Sequence, residues 1–139
     1  MSYENVIAKY LYSERILIGF ILSLVLGLAL ELTGIYLLML LAGFIGGIFV
    51  KKGWHSFIVG FLSIASAWEI YFIIFSFIGP MGDLLVIVGN LIGIQGGIIL
   101  MLTIIIGGLL GGVGALIGAY ITQMILGDKY DPKAKVKLI

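Results

Sequence analysis

Glu69 is the residue of this chain whose type and position could most readily do chemistry. It is the fourteenth residue of the apolar stretch 56–78, which is otherwise uncharged, and it lies within about 3 Å of the middle of a helix at about 1.5 Å per residue. An ionisable group at that depth in a membrane helix is costly, and a functional role is the first hypothesis. Ser66 and Ser76 lie at i−3 and i+7 from it, so the three residues form a polar stripe that we predict faces the interior of a bundle. The carboxyl group would then bind a proton, a cation or a polar ligand, or serve structurally as a protonated hydrogen-bond donor.

Glu31 is the second acidic candidate. It follows Gly19, Ser23 and Gly27 at intervals of four residues, so the four residues share one helix face. Small residues on that face predict close packing against a neighbour. At the outer end of the face, Glu31 is interpreted either as the entrance to a path toward Glu69 or as a solvated residue that marks a turn.

Long apolar segments must position these side chains. The chain has 139 residues, of which 62% are hydrophobic and 11% charged, whereas soluble domains carry about 25% charged residues. The apolar block 16–50 would rise about 52 Å as one helix, but a bilayer core is only about 30 Å thick. Because 31–34 interrupts this block, it is predicted to form two spans, 16–30 and 35–50. Two further spans, 56–78 and 98–126, complete an all-α integral membrane protein with four transmembrane helices in a single domain.

The segment 79–97 is rich in glycine but also contains apolar runs. We interpret it as an outer loop and keep a re-entrant hairpin and a fifth span as alternatives. With four spans, all eight lysines and arginines of the chain fall on one side of the membrane, and the positive-inside rule makes that side cytoplasmic. The prediction is therefore a multi-pass protein of the cell membrane with both termini in the cytoplasm. Six lysines are predicted to contact lipid headgroups or a partner, four of them in a basic tail, 127–139: Lys51, Lys52, Lys129, Lys133, Lys135 and Lys137.

Small residues recur every fourth position in the last span, which is the pattern of closely packed membrane helices. A similar glycine tract occurs in the second span, so the chain is consistent with two helical hairpins in parallel orientation. Glycine-mediated packing is predicted at Gly43, Gly47, Gly107, Gly111, Ala115 and Ala119. Trp68, which is deep for a tryptophan, is predicted to fill space that facing glycines leave open.

The same inventory limits the chemistry. There is no cysteine and only one histidine, His55, so no metal site, cofactor or catalytic group is predicted, and no enzyme or nucleic-acid binding is expected. The favoured function is a structural or accessory membrane subunit that assembles through its glycine-rich faces, in a homo-oligomer or a larger membrane complex surrounded by lipid. The alternative is a small proton, ion or solute carrier or channel that uses Glu69.

Three segments together carry a family resemblance: the glycine tract 107–119, the tract 42–47 and the short basic loop 51–55. They resemble a group of small archaeal glycine-rich membrane proteins with four spans, and this resemblance implies the architecture without an activity. Glu69 and the tract 107–118 are also similar in kind to the proteolipid ring subunits of rotary ATPases. Here, however, the order of the two features is reversed and the alternate-residue glycine pattern is missing, so no role is carried over.

Overall fold

The computed structural model describes residues 15–126, which form five helices and no strand. The helical class predicted from the sequence is confirmed. The helices are α1 Ile16–Glu31, α2 Leu37–Val50, α3 Gly53–Ile78, α4 Met81–Ile92 and α5 Gly96–Leu126. Of these, α3 and α5 are long and apolar enough to cross a membrane, whereas α1, α2 and α4 are apolar but shorter. The number of spans therefore stays a prediction, and the four tail lysines lie outside the described residues.

The predicted helix breaks occur where the sequence indicated them. After α1 the chain turns at Thr33, whose hydroxyl donates to the carbonyl of Leu30 at 2.6 Å, and Gly34 adopts a positive φ of 72°. Helix α3 ends at Ile78, directly before Gly79 and Pro80, because proline cannot donate a backbone hydrogen bond to continue the helix.

The segment 79–97 differs from the predicted outer loop, because most of it is the helix α4. The helix ends at Ile92 and is capped by Gly93, which has a φ of 79° and whose N–H donates to the carbonyl of Gly89 at 2.8 Å. The chain then turns sharply, and Gly89 and Gly96 allow α4 to lie close to the start of α5. Twelve residues rise about 18 Å, which is too short for a bilayer core of about 30 Å. Helix α2, with fourteen residues, is only about 3 Å longer, so length alone does not separate the fifth-span alternative from the predicted second span, and both stay predictions.

The contacts fix the relative directions of the four remaining helices. Helices α1 and α2 are antiparallel, since the N–H of Arg15 donates to the carbonyl of Phe49 at 3.1 Å. Helices α3 and α5 are also antiparallel, since the hydroxyl of Ser56 donates to the carbonyl of Ala115 at 2.9 Å, whereas Trp68, later in α3, packs on Gly107, earlier in α5. Helix α2 runs parallel to α5, because successive residues of one meet successive residues of the other. The arrangement is that of two hairpins side by side, as the repeated glycine tracts indicated.

Helices α2 and α5 meet backbone to backbone along a line that we call the glycine seam: Gly43, Gly47, Gly111, Gly114, Ala115 and Gly118. A Cβ atom built on Gly43 would overlap the backbone of Gly111, and one on Gly47 would overlap the backbone of Ala115. All six predicted packing positions are buried. Glycine-mediated packing is thus present, and it occurs within one chain.

The glycine seam predicts a position-dependent response to a single added methyl group. Gly114→Ala should destabilise the protein by about 1–3 kcal/mol, because the new Cβ would overlap the carbonyl of Leu40. Gly97→Ala is the matched control on the same helix, since nothing lies within 4 Å of its Cβ position. Thermal unfolding in detergent measures both, and equal melting temperatures for the two variants would contradict the seam.

Candidate functional site

Glu69 lies on the outer surface of the described bundle. Its side chain is exposed, and it makes no hydrogen bond or ion pair with another residue in the range 15–126. Ser66 on the same stripe is half-buried, whereas Ser76 is exposed and its hydroxyl donates to the carbonyl of Ile73 in its own helix at 2.7 Å. The prediction that this stripe faces the bundle interior is therefore wrong.

The side of α3 opposite Glu69 faces the interior of the bundle, because that side consists of small residues. Ser56, Gly60 and Ser63 are buried there, and they let α5 come close enough for direct contact with the backbone. The stripe that carries Glu69 would not allow α5 to come as close. Packing, rather than the pairing of polar groups, sets the rotation of α3.

Glu31 lies in a different environment from Glu69. It ends the face formed by Gly19, Ser23 and Gly27, all three of which are buried as predicted. The Glu31 side chain is itself half-buried, and its Oε2 atom is enclosed without a hydrogen-bond partner in the described chain. It is therefore more than a solvated residue at a turn.

A cavity of about 320 Å³ opens beside Glu31, and we call it the Glu31 cavity. Glu31 is the one charged residue in its lining, and four aromatic residues of α3 form one side. The lining consists of Glu31, Leu32, Gly34, Trp68, Tyr71, Phe72, Phe75 and Met81. Such a volume, with apolar walls and one polar group, is typical of small-molecule sites. Glu69 does not line this cavity.

The aromatic side of the cavity was missed from the sequence, although a signal was present. The four aromatic residues form two pairs spaced by four residues, Trp68 with Phe72 and Tyr71 with Phe75, and the pairs are offset by three residues, so all four share one face of α3. Trp68 and Phe72 have ring centroids 5.6 Å apart, and Tyr71 and Phe75 have centroids 6.0 Å apart. The Tyr71 hydroxyl donates to the carbonyl of Leu28, which ties this wall to α1.

Burial beside this cavity raises the pKa of the Glu31 carboxyl to about 7. Glu31 follows the predicted span 16–30, and no cation lies among the residues that line the cavity. Desolvation of a carboxylate with no counter-charge disfavours the ionised form. The group is therefore poised to exchange a proton near neutral pH.

Trp68 is placed between two cavities and covers a glycine, as the sequence predicted. A Cβ atom on Gly107 would come within 2.8 Å of the indole Nε1 atom. The indole N–H donates to the sulfur of Met39 at 2.9 Å. On its other side lies a second cavity of about 270 Å³, which Thr103 and Leu110 help to line. Trp68 thus fills part of the space that α5 leaves open.

The two described lysines of the basic loop have different surroundings. Lys51 is only 7% exposed and adopts a φ of 66° at the end of α2, and its carbonyl accepts a hydrogen bond from Gln123 of α5. Burial, together with the nearby charge of Arg15, lowers the pKa of Lys51. Lys51 therefore belongs to the packing at this end of the bundle rather than to a headgroup-facing surface. Lys52 is exposed, and its contact with headgroups or a partner stays a prediction.

Trp68→Ala should destabilise the protein by about 2 kcal/mol or more, because it removes the cover of Gly107 and joins two cavities. Trp54→Ala is the control, since Trp54 is 69% exposed and surface substitutions usually change stability by less than about 0.5 kcal/mol. Chemical unfolding in detergent compares the two. A Trp68→Ala variant as stable as the Trp54→Ala variant would contradict the packing role.

The raised pKa of Glu31 predicts a pH-dependent stability. Folding holds the proton on Glu31 up to about pH 7, against an ordinary pKa of 4.5. The free energy of unfolding should therefore fall as the pH rises from about 4.5 to about 7. Glu31→Gln cannot ionise and should flatten this decline, whereas Glu69→Gln, at an exposed position, should retain it. Melting temperatures at pH 5 and pH 8 make the comparison, and a decline that persists in Glu31→Gln would assign it to another group.

Comparisons with protein-family models, with curated proteins and with solved structures found no match to this chain. Among the described residues there is also no group of three or more histidine, cysteine, aspartate or glutamate side chains that could hold a metal ion. The function must accordingly be argued from the geometry of the two glutamates and of the faces around them.

Proposed function

We propose that this chain is a structural or accessory subunit, integral to the cell membrane, that assembles with further copies of itself. The observation that carries this proposal is the exposure of Glu69 on the outer face of α3. Glu69 is only about 5 Å along the axis from the middle of this 26-residue helix. A carboxyl group facing lipid there would cost several kcal/mol. A second protein surface that covers Glu69 would remove this cost.

The membrane setting is supported by two apolar helices of sufficient length and by broad exposed apolar surfaces. In the proposed topology residues 16–30 of α1 cross the bilayer together with α2, α3 and α5, while Glu31 and α4 lie at the outer end. The described basic residues Arg15, Lys51 and Lys52 lie at one end of the bundle, while Glu31 and Asp83 lie at the ends of helices on the other side. This asymmetry favours a cytoplasmic location for the basic end and for both termini.

The assembly surface in this proposal is the outer stripe of α3: Ile58, Leu62, Ser66, Glu69, Ile73 and Ser76. The glycine seam supports a stable protomer, but its close approaches are taken up within the chain. The outer stripe carries both a carboxyl group and hydroxyl groups. Two copies facing each other could therefore satisfy Glu69 with a serine of the neighbour, since polar side chains hydrogen-bond across membrane helices.

Disulfide cross-linking in the native membrane tests the proposed surface directly, because the chain has no cysteine of its own. Ile73→Cys lies one turn from Glu69 and is 58% exposed, so it should yield a cross-linked dimer as the main product on mild oxidation. Leu109→Cys on α5 is the control at a comparable exposure of 45% and should remain monomeric. Equal cross-linking at both positions would indicate random collisions and would contradict the proposal that the outer stripe of α3 is the assembly surface.

Native mass spectrometry after gentle extraction then measures the mass of the assembly. Multiples of the chain mass support the homo-oligomer, whereas a monomer alone overturns the proposal. If a protein of another sequence co-purifies instead, the partner in the assembly is a different subunit rather than a second copy of this chain. Glu69→Gln should leave a homo-oligomer intact. A proton flux in liposomes that depends on Glu69 would instead favour the carrier.

A further inference from the structure

We propose that the Glu31 cavity binds a lipophilic organic cation: an alkylated or aryl-substituted ammonium group with an apolar body. This goes beyond the assembly role, because it concerns a different glutamate and a different face of α3. The cation would place its positive centre against the Glu31 carboxylate and its apolar substituents against the aromatic rings.

The charge of the cavity lining determines the sign of the charge that a ligand should carry. Glu31 is the one charged residue among the lining residues, and its enclosed Oε2 atom has no hydrogen-bond partner in the described chain. A carboxylate held in a largely apolar lining without a counter-charge is costly, and a cation in the cavity beside Glu31 would lower that cost. An anion would be repelled.

The aromatic lining selects an organic cation over a metal ion. Four aromatic side chains line the cavity: Trp68, Tyr71, Phe72 and Phe75. The faces of tryptophan, tyrosine and phenylalanine attract ammonium groups, and such rings are the usual surroundings of alkylated ammonium ligands. Ca²⁺ and Mg²⁺ need several oxygen ligands, and only one carboxyl group is available in this lining.

The size of the cavity selects a small ligand. A volume of about 320 Å³ lies at the lower end of the range for small-molecule sites, and it suits a cation with one aromatic ring. The wall needs little rearrangement, because the Tyr71 hydroxyl is bonded to α1 and the Trp68 N–H to Met39 of α2.

The chain provides its own optical reporter for a binding test. It contains two tryptophans, so Trp54→Phe leaves Trp68, in the wall of the cavity, as the single tryptophan. Titration of this variant in detergent at pH 8, where the Glu31 carboxyl is ionised, with benzyltrimethylammonium should change the Trp68 emission saturably. Benzenesulfonate, which has a similar ring and the opposite charge, should give no saturable change. The absence of a saturable response to benzyltrimethylammonium would overturn the proposal.

Glu31→Gln in the same background should weaken the binding about tenfold or more, because it removes the counter-charge and leaves a side chain of the same shape. Glu31→Asp should restore part of the affinity. Glu69→Gln is the matched control and should bind as the parent does. Circular dichroism and gel filtration establish that each variant is folded. Equal affinity in folded Glu31→Gln and Glu69→Gln variants would overturn the role of Glu31.

The same cationic chemistry occurs in free solutes and in choline lipid headgroups, and competition distinguishes the two sources. Dihexanoylphosphatidylcholine, used below its micelle-forming concentration, would displace the probe if the site holds a lipid headgroup. Failure to displace it would assign the site to a free cation. In either case the result is independent of the α3 cross-linking experiment, so failure of one proposal leaves the other standing.

Discussion

The contact on which the rest of this structure depends is the approach of two backbones along the glycine seam. At Gly43 and Gly47 the surface of α2 has no side chain, so it meets the backbone of α5 at Gly111 and Ala115 directly. Close contact between the two backbones gives the dispersion attraction that holds the helices together. Helix α3 then packs on the neighbouring face of α5 with Ser56 and Gly60, and α1 covers α2 and α3 with its own small residues.

Much of this could be predicted from the sequence because packing of small residues leaves a periodic signal. The spacing of Gly107, Gly111, Ala115 and Ala119 indicated the buried face of α5, and the repeat of glycine tracts indicated that α2 and α5 are parallel. The turn at 31–34 and the end of α3 at Ile78 could also be predicted, since glycine and proline act on the local backbone. Helix α4 could not be predicted, because its glycines and Asp83 are typical of a loop. This short helix is held by packing back onto the start of α5.

The candidate site was harder to predict, because depth along a helix is readable from sequence but rotation about its axis is not. Glu69 lies near the middle of α3, yet the small residues of the other face turn it outward. Glu31 appeared to be a residue at a turn, yet one of its carboxylate oxygens is enclosed and its side chain lines the same cavity as the aromatic wall of α3. Contacts between helices that are distant in sequence determine which glutamate lines a cavity. The residue pattern of a single helix carries no information about those contacts.

The glycine seam also has an entropic consequence. Glycine and alanine have no rotamers to lose on burial, whereas ordering a long side chain costs up to about 2 kcal/mol. A seam made of them therefore joins α2 and α5 without the side-chain ordering that interlocking leucines would require, and it has no alternative packing into which it could relax. Where the helices meet through larger side chains, other contacts must fix the rotamers, and in the aromatic wall beside Glu31 hydrogen bonds from Tyr71 to Leu28 and from Trp68 to Met39 do so. The least bulky part of the molecule thus needs no such bonds to define its geometry, whereas the aromatic wall depends on them.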